Sequence, residues 1–376
     1  MKYVRIGLQL FVVAWAVWTF TGRSPEAVAP EPAIRVVEQV GTDTVCSRNV
    51  VGIQPYMMPS DYLTEAAFFG KMDAYFREAQ KAGYFRGNTV VLLPEYLGTW
   101  LVIAGEKGSV ANASSVTEAM TLIVLSNPLK TLRFLFYHQD ESDRIASAIF
   151  RMKARSMAGI YANTFSQLAR AYGVTINAGS IVLPGAIGNG DIISVSEKSP
   201  LYNTSFVFHP FGVVDAQVVR KAFPIRSELP FVTPAPVDEL LIYELPVGKT
   251  AVLVCADSWY PESYARVKEL GAEVVLVNSY CAGDDAMSRV WQGYDGGSMP
   301  SDVDPTHVGR LTEREAWIAH ALPGRLASSG ARVGVNVFLR GQLWDLGTDG
   351  QPFFVAHGNL LAVTPSEQGG IWNLCF

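Results

Sequence analysis

The sequence contains few cysteines and histidines, and neither residue is spaced for metal binding. No CxxC pair occurs, and no histidine pair accompanies a cysteine pair, so the usual structural zinc motifs are excluded. The four cysteines are Cys46, Cys255, Cys281 and Cys375. The five histidines are His138, His209, His307, His320 and His357. We expect the histidines to be structural, and we predict no metal and no cofactor.

Clusters of basic residues are also missing from the sequence. The formal net charge is −5 at pH 7, whereas a nucleic-acid-binding domain carries a basic face. We therefore predict no nucleic-acid partner. The glycine-rich segment Pro184 to Asp191 lacks the Lys-Ser/Thr ending of a phosphate loop, which favours a hairpin turn. With 376 residues, of which 49% are hydrophobic, the chain can bury one large α/β core.

Three apolar runs each lead to a residue that can take part in catalysis. Such runs are typical of strands that are buried on both faces. The runs, each with the residue that follows it, are Thr89 to Leu93 before Glu95, Asn203 to Val219 before Lys221, and Ala251 to Val254 before Cys255. We expect the carboxylate, the ammonium and the thiol to meet at one end of a sheet, where they form a complete catalytic set.

These segments resemble the nitrilase superfamily of carbon–nitrogen hydrolases, whose catalytic Glu, Lys and Cys occur in this order. The matching segments are Leu93-Pro94-Glu95-Tyr96, Arg220-Lys221-Ala222-Phe223-Pro224 and Val254-Cys255-Ala256-Asp257-Ser258. The resemblance covers roughly Asn49 to Val355. It implies an α/β fold, the nitrilase-type α-β-β-α four-layer sandwich, and assembly into a homodimer or a higher homo-oligomer.

The resemblance also implies a thiol hydrolase that cleaves a carbon–nitrogen bond other than a peptide bond in a small amide or nitrile. Cys255 is then the nucleophile that forms a thioester, Glu95 the general base and Lys221 the oxyanion stabiliser. Glu228, seven residues after the lysine, is expected to orient the lysine and the substrate. The plainer alternatives are a core cysteine, a turn carboxylate, a surface lysine, and an ion pair of Glu228 with Arg226.

Aromatic residues flank the three catalytic segments. We predict that Tyr96, Trp100, Trp259 and Tyr280 wall a pocket suited to an apolar or extended acyl group, and the alternative is that they only pack in the core. Because related folds support several reactions, the sequence leaves amidase and nitrilase activities open. A membrane-associated N-acyltransferase resembling the apolipoprotein enzyme and a catalytically inactive scaffold are further alternatives.

One long apolar stretch, Ile6 to Phe20, lies near the N-terminus. It is shorter than the ~20 residues that a spanning helix usually needs, so a membrane anchor and a signal peptide are both open. Pro30 follows Ala27-Val28-Ala29 and leaves no clean cleavage site, which favours an uncleaved anchor. Lys2 and Arg5 precede the stretch, which places the catalytic domain outside the cytoplasm, on the periplasmic side of a bacterial inner membrane. The alternative is a secreted or periplasmic protein after cleavage.

We divide the chain into an anchor or signal segment (1–22), a linker (23–48) and a hydrolase domain (49–376). Two insertions interrupt the domain, near 97–139 and near 283–310. The first is predicted to be either an amphipathic lid over the site or the membrane surface, or ordinary helices packed on the domain. The second is predicted to be a loop near the pocket mouth. An oxidising compartment permits a disulfide, but the sequence does not select the pair.

Overall fold

The computed structural model describes residues 2–23, 31–41, 46–137 and 141–376. Nine α-helices lie in these ranges: α1 (Lys2–Phe20), α2 (Glu65–Lys81), α3 (Gly108–Ala111), α4 (Val116–Ser126), α5 (Pro128–Phe134), α6 (Arg144–Tyr172), α7 (Pro261–Leu270), α8 (Glu313–His320) and α9 (Leu322–Ser329). The strands in the same ranges are β1 (Ile34–Val40), β2 (Asn49–Gln54), β3 (Tyr56–Met57), β4 (Thr89–Leu92), β5 (Thr175–Pro184), β6 (Ile187–Asn189), β7 (Ile192–Ser194), β8 (Leu201–Phe208), β9 (Val219–Arg220), β10 (Ile242–Leu245), β11 (Gly248–Val254), β12 (Val274–Ser279), β13 (Cys281–Ala282), β14 (Val333–Phe338), β15 (Arg340–Gly341), β16 (Thr348–Asp349), β17 (Phe353–Ala356), β18 (Asn359–Leu361) and β19 (Gly369–Cys375).

Two large sheets form the centre of the molecule. One has seven strands in the order β1-β19-β2-β4-β5-β8-β9, and the other has six in the order β10-β11-β12-β14-β17-β18. In the first sheet β2, β4 and β5 are parallel, and in the second β11, β12 and β14 are parallel. The sheets approach closely at Gly52, where a Cβ atom would lie 2.8 Å from Val337 Cγ1.

Strand residues alternate between two apolar layers because successive side chains point to opposite faces of a sheet. In β4, Val90 and Leu92 enter the core between the two sheets, whereas Val91 enters the core beneath α2 and α6. Strand β11 alternates in the same way between the inter-sheet core and the core beneath α7 and α9. The result is a four-layer helix–sheet–sheet–helix arrangement, which confirms the predicted α/β fold class.

Helix α1 is apolar and exposed. Its segment Tyr3–Phe20 is the one stretch among the described residues that is long and apolar enough to cross a membrane, and a signal sequence meets the same criterion. The Arg23 guanidinium fastens the end of this segment to the domain, donating to the Ser126 carbonyl oxygen at 2.5 Å and to Asn127 Oδ1 at 3.2 Å. Residues 24–30, which include the segment considered for cleavage, lie outside the described residues.

Part of the predicted linker is a strand, so the prediction of a linker over 23–48 is wrong for residues 34–40. Strand β1 pairs in parallel with β19 at the edge of the seven-stranded sheet. The folded domain therefore begins before residue 49. Half-buried and exposed residues alternate along β1 up to the buried Val40, and its partner strand lies at the distant end of the chain. A disulfide between Cys46 and Cys375 fastens the same region.

The first insertion consists of helices packed on the domain. A 3-10 helix (Thr99–Ile103) is followed by α3, α4 and α5. Ala119 and Ile123 of α4 are buried in the core beneath α2 and α6, and α5 packs against α6. This is the second of the two predicted arrangements. The last part of the insertion, residues 138–139, lies outside the described residues.

Candidate active site

Glu95 lies just beyond the carboxyl end of β4, where the chain turns sharply. The Ser180 N–H donates to the Pro94 carbonyl oxygen at 3.3 Å, and the Tyr96 N–H donates to Ser180 Oγ at 2.9 Å. Tyr96 has a φ of +62°, which few non-glycine residues adopt. These two hydrogen bonds join the turn to β5 on either side of Glu95 and fix its position. The Glu95 side chain is buried.

Gly179 lets β5 approach this turn. Its φ is +75°, and a Cβ atom there would lie 2.1 Å from the Pro94 carbonyl oxygen. We expect Gly179→Ala to lower the free energy of unfolding by about 2–4 kcal/mol, through left-handed strain and overpacking together. The control is Gly173→Ala, since Gly173 has a φ of +63° but open space around its Cβ position. That variant should lose only about 1 kcal/mol. Equal losses in urea denaturation would contradict the packing argument.

Cys255 lies directly after β11 in a strained backbone. Its φ is +47°, which costs a non-glycine residue about 1–2 kcal/mol, and it begins a 3-10 helix (Cys255–Trp259). The Sγ atom lies 3.6 Å from the Tyr280 carbonyl oxygen. Burial raises the pKa of the Cys255 thiol well above its usual range, and the negative charge of Glu95 adds a smaller rise. The positive charge of Lys221 opposes both effects without outweighing them. The proton therefore stays on the sulfur at neutral pH.

Lys221 joins two buried carboxylates. Its Nζ atom donates to Glu95 Oε1 at 2.8 Å and to Glu228 Oε2 at 2.6 Å. The exposed fractions are 1% for Lys221 and Glu95 and 2% for Glu228. Burial disfavours the ammonium, but Glu228 and then Glu95 outweigh it and raise the pKa of Lys221 well above its usual range. The lysine is therefore a fixed positive charge at the centre of the site.

The two carboxylates differ in their affinity for a proton. Burial raises the pKa of Glu95 to about 7, although the Lys221 ammonium opposes it, and the charge of Glu228 adds to the rise. In Glu228 the effect of burial is outweighed by Lys221 and by a hydrogen bond from the Tyr96 side chain, so the pKa is lowered. Glu228 therefore stays ionised, and Glu95 is the group that can exchange a proton near neutral pH.

Asn203 and Asp257 connect the segments that carry Glu95, Lys221 and Cys255, although the sequence predicted a role for neither. Asn203 Nδ2 donates to Glu95 Oε1 at 2.9 Å and to Glu228 Oε1 at 3.0 Å. Asp257 Oδ1 accepts from the N–H groups of the two residues after Lys221, at 2.9 Å each. Its Oδ2 accepts from the N–H of the residue before the cysteine at 3.1 Å. Both polar residues stand inside the quoted segments, which is the signal that could have identified them.

A network of buried hydrogen bonds joins the two sheets beneath Glu95. Asn278 of β12 donates from Nδ2 to the Leu93 carbonyl oxygen at 2.6 Å and to Asn177 Oδ1 of β5 at 2.5 Å. Ser205 of β8 donates to Asn278 Oδ1 at 3.0 Å. Because buried polar groups must be hydrogen-bonded, this network fixes how the strand ends of one sheet stand against those of the other.

A cavity of about 600 Å³ opens beside Cys255, and Trp259 and Tyr280 line it. The other two aromatic residues predicted for the pocket, Tyr96 and Trp100, are not among its lining residues. The Tyr96 ring packs 5.7 Å from that of Tyr280 and 6.4 Å from that of Trp100, measured between centroids. The structure thus brings two of the four predicted aromatic residues to the cavity and places the other two in the packing around it.

The second insertion contributes to the cavity wall, whereas the described residues of the first insertion contribute none of the lining residues. Residues 289–295 line the cavity, including Trp291 and Tyr294. At its mouth Arg226 pairs with Asp295, with Nε and Oδ1 3.4 Å apart, so the alternative pairing of Arg226 with Glu228 is not formed. Residues 97–137, the described part of the first insertion, instead belong to the packing of the domain.

The carbon-nitrogen hydrolase family model matches residues 50–297. The chain belongs to the carbon-nitrogen hydrolase family, and the protein is a carbon–nitrogen hydrolase enzyme. None of the curated proteins matches the sequence significantly.

Solved structures of an amidase from Nesterenkonia, a member of the nitrilase superfamily, have the same fold. A cysteine-to-serine mutant is 14% identical, with a TM-score of 0.52, and the match covers 88% of this chain and 92% of that chain. A glutamate-to-glutamine mutant carries the acetamide moiety of fluoroacetamide on its active-site cysteine; it is 15% identical, with a TM-score of 0.52 and coverages of 89% and 92%. A cysteine-to-alanine mutant in complex with butyramide is 15% identical, with a TM-score of 0.52 and coverages of 88% and 91%.

Proposed function

We propose that this protein is an amidase-type thiol hydrolase in which Cys255 is the nucleophile, Glu95 the proton carrier and Lys221 the oxyanion stabiliser. The observation that carries the proposal is the buried Lys221 ammonium, which is hydrogen-bonded to both Glu95 and Glu228. The Glu95 carboxyl also interacts with the Cys255 thiol, and a hydrogen bond between them lowers the pKa of Glu95. A nucleophile that lines a cavity, with a buried base and a fixed cation behind it, matches the needs of acyl transfer.

The first half-reaction forms a thioester. The Cys255 Sγ–H proton passes to Glu95 as the sulfur bonds to the amide carbon, and the negative charge that develops on the oxygen is stabilised by Lys221. The carbon–nitrogen bond then breaks, and Glu95 returns the proton to the departing nitrogen as ammonia or amine leaves. Because Lys221 stays charged, it stabilises the oxyanion without taking part in proton transfer.

The second half-reaction releases the acid. Glu95 takes a proton from a water molecule, whose oxygen attacks the thioester carbon. The carbon–sulfur bond breaks, and the proton returns to Sγ, so that the thiol and the carboxylate regain their starting states. The Nesterenkonia amidase structures with a covalent acetamide moiety and with butyramide support a small amide as the substrate proposed here.

The test is turnover by the full chain, purified in detergent, on a panel of small amides and nitriles. We expect ammonia and the matching acid to be released from amides. Transfer of the acyl group to an added amine, with no acid formed, would instead support the N-acyltransferase alternative. Absence of both turnover and a covalent adduct on Cys255 would contradict the proposal and support an inactive scaffold.

The charge of Glu228 should shift the pH dependence of the reaction. Since Glu95 must be ionised to accept the thiol proton, we expect kcat/KM to rise with pH through a midpoint near the Glu95 pKa of about 7. The charge of Glu228 raises that pKa, so Glu228→Gln should move the midpoint to lower pH. The matched control is Glu239→Gln, since Glu239 is an exposed carboxylate that pairs with Arg220. An unmoved or upward-moved midpoint in the Glu228 variant would contradict this coupling.

We also propose that α1 anchors the enzyme to a membrane, with the catalytic domain on an oxidising side such as the periplasm. The exposed apolar helix supports the anchor, and Lys107, whose Nζ lies 3.5 Å from the centroid of the Trp18 ring, helps to fix its end. The Cys46–Cys375 disulfide supports an oxidising compartment. Alkylation of cells under non-reducing conditions should leave both cysteines unlabelled, and labelling of both would contradict this side. The homodimer or higher homo-oligomer implied by the resemblance stays a prediction.

A further inference from the structure

Glu313 is a carboxylate in the cavity wall that the catalytic scheme does not use. It lines the same cavity as Cys255. Burial raises the pKa of the Cys281 thiol, and the negative charge of Glu313 adds to the rise. The Glu313 carboxylate therefore lies close to Cys281. Cys281 directly follows Tyr280, whose carbonyl oxygen lies 3.6 Å from Cys255 Sγ. Glu313 and Cys255 therefore face the same cavity.

Helix α8 does not need the Glu313 side chain for its own start. A capping box performs that role: the Thr312 N–H donates to Glu315 Oε2 at 2.7 Å, and the Glu315 N–H donates to Thr312 Oγ1 at 3.3 Å. Because the exposed Glu315 satisfies the helix terminus, the inward position of Glu313 has no local structural explanation.

Glu313 also lacks a compensating cation within the described part of the chain. Burial raises its pKa to about 7, and only the neighbouring Trp317 indole acts in the opposite direction. The two arginines that line the cavity have other partners. Arg226 pairs with Asp295, and the exposed Arg289 donates to the Asp284 carbonyl oxygen at 2.7 Å. A half-buried carboxylate without a cation beside it is costly, and a cationic ligand would offset that cost.

Aromatic rings surround the space beside Glu313. The Trp259 ring lies 4.9 Å from that of Trp317 and 5.8 Å from that of Trp291, and Tyr294 packs 5.8 Å from Trp291, all between centroids. All four residues line the cavity. The faces of such rings attract ammonium groups. Tyr260 lines the cavity as well, and its buried Oη has no hydrogen-bond partner in the described structure, so it can accept from an ammonium N–H.

We propose that the substrate is an amide that bears a positively charged group, which Glu313 and the surrounding aromatic rings hold while the amide carbon faces Cys255. The inference rests on the proposed amidase function, because it names the class of amide that the site accepts. An ω-aminoalkyl amide has this form, with an ammonium at one end and the scissile bond at the other. Neutral amides of the same length fill the cavity but leave Glu313 without a partner.

Binding can be measured without turnover in the full-length Cys255→Ala variant. Isothermal titration with a homologous series of ω-aminoalkyl amides and their ω-methyl isosteres compares charge at constant shape. We expect at least one amino compound to bind about tenfold or more tightly than its isostere. Adding Glu313→Gln should abolish that preference, whereas adding the matched control Glu315→Gln should leave it unchanged. Equal binding across the series, or a preference that survives Glu313→Gln, would overturn the proposal.

Kinetics with Cys255 intact separates this inference from the amidase proposal. The ratio of kcat/KM for the amino compound to that for its isostere should exceed one and fall to about one in Glu313→Gln. Turnover of neutral amides without any preference would overturn the cation site alone. A binding preference without turnover of any amide would support the cation site and contradict the amidase function.

Discussion

Replacing Cys255 with alanine is expected to lower kcat on amides by at least about ten-thousandfold. The variant has no atom that can bond to the substrate carbon, and Glu95 then has no proton to accept. The matched control is Cys281→Ala, because Cys281 is the other free cysteine of the described chain and lines the same cavity. We expect that variant to lose less than about tenfold, since no step of acyl transfer uses its thiol.

Stability measurements show whether this loss is chemical. Cys255→Ala keeps a non-glycine residue at a φ of +47°, so it should unfold at nearly the same urea concentration as the wild type. Cys255→Gly should be more stable than Cys255→Ala by about 1 kcal/mol, because glycine adopts this backbone without strain. An alanine variant that retained activity, or that lost activity only by unfolding, would contradict the assignment.

Replacing Lys221 with methionine is expected to have two large effects. It should lower kcat by about a hundredfold to a thousandfold through loss of oxyanion stabilisation. It should also lower the free energy of unfolding by about 3–5 kcal/mol, because two buried carboxylates lose their cation. Steady-state kinetics and urea denaturation measure these effects separately.

A double variant separates the two roles of the lysine. In Lys221→Met with Glu228→Gln, one uncompensated charge has been removed from the buried site. We therefore expect stability to recover in part relative to the single Lys221 variant, while activity stays lost. Recovery of activity together with stability would show that the lysine acts only through folding, and unchanged stability in the single variant would contradict the buried geometry.

Sequence patterns predicted the meeting of Glu95, Lys221 and Cys255 because each residue follows an apolar run. The runs before Glu95 and Cys255 became the buried strands β4 and β11, whereas the run before Lys221 divides into β8, a connecting segment and the two-residue strand β9. The expectation of one shared sheet was wrong, since β4, β8 and β9 belong to the seven-stranded sheet and β11 to the six-stranded sheet. The interaction of Glu228 with the lysine was expected from the resemblance to the nitrilase superfamily. Their catalytic roles remain proposals. The residues proposed for the chemistry can thus be identified from local patterns in a single sequence.

Other features depend on contacts between distant segments, which local patterns do not contain. The pairing of β1 with β19 joins opposite ends of the chain, and the sequence of neither strand indicates its partner. The position of Trp100 follows from packing against Trp344, with centroids 5.5 Å apart, rather than from its closeness to Glu95 in sequence. Glu313 stands beside two other charged residues on α8, so only the tertiary structure shows which of them faces the cavity.

The most direct test of the central claim is mass spectrometry of the enzyme after incubation with a small amide such as butyramide, with acid quenching. Acid quenching during turnover should trap the thioester on the wild type, whereas Glu95→Gln, which cannot accept the thiol proton, should form it far more slowly. We predict a mass increase equal to one acyl group, confined to the peptide that contains Cys255 and absent from Cys255→Ala. Turnover without an adduct on that peptide, or an acyl group attached to another residue during turnover, would contradict the account.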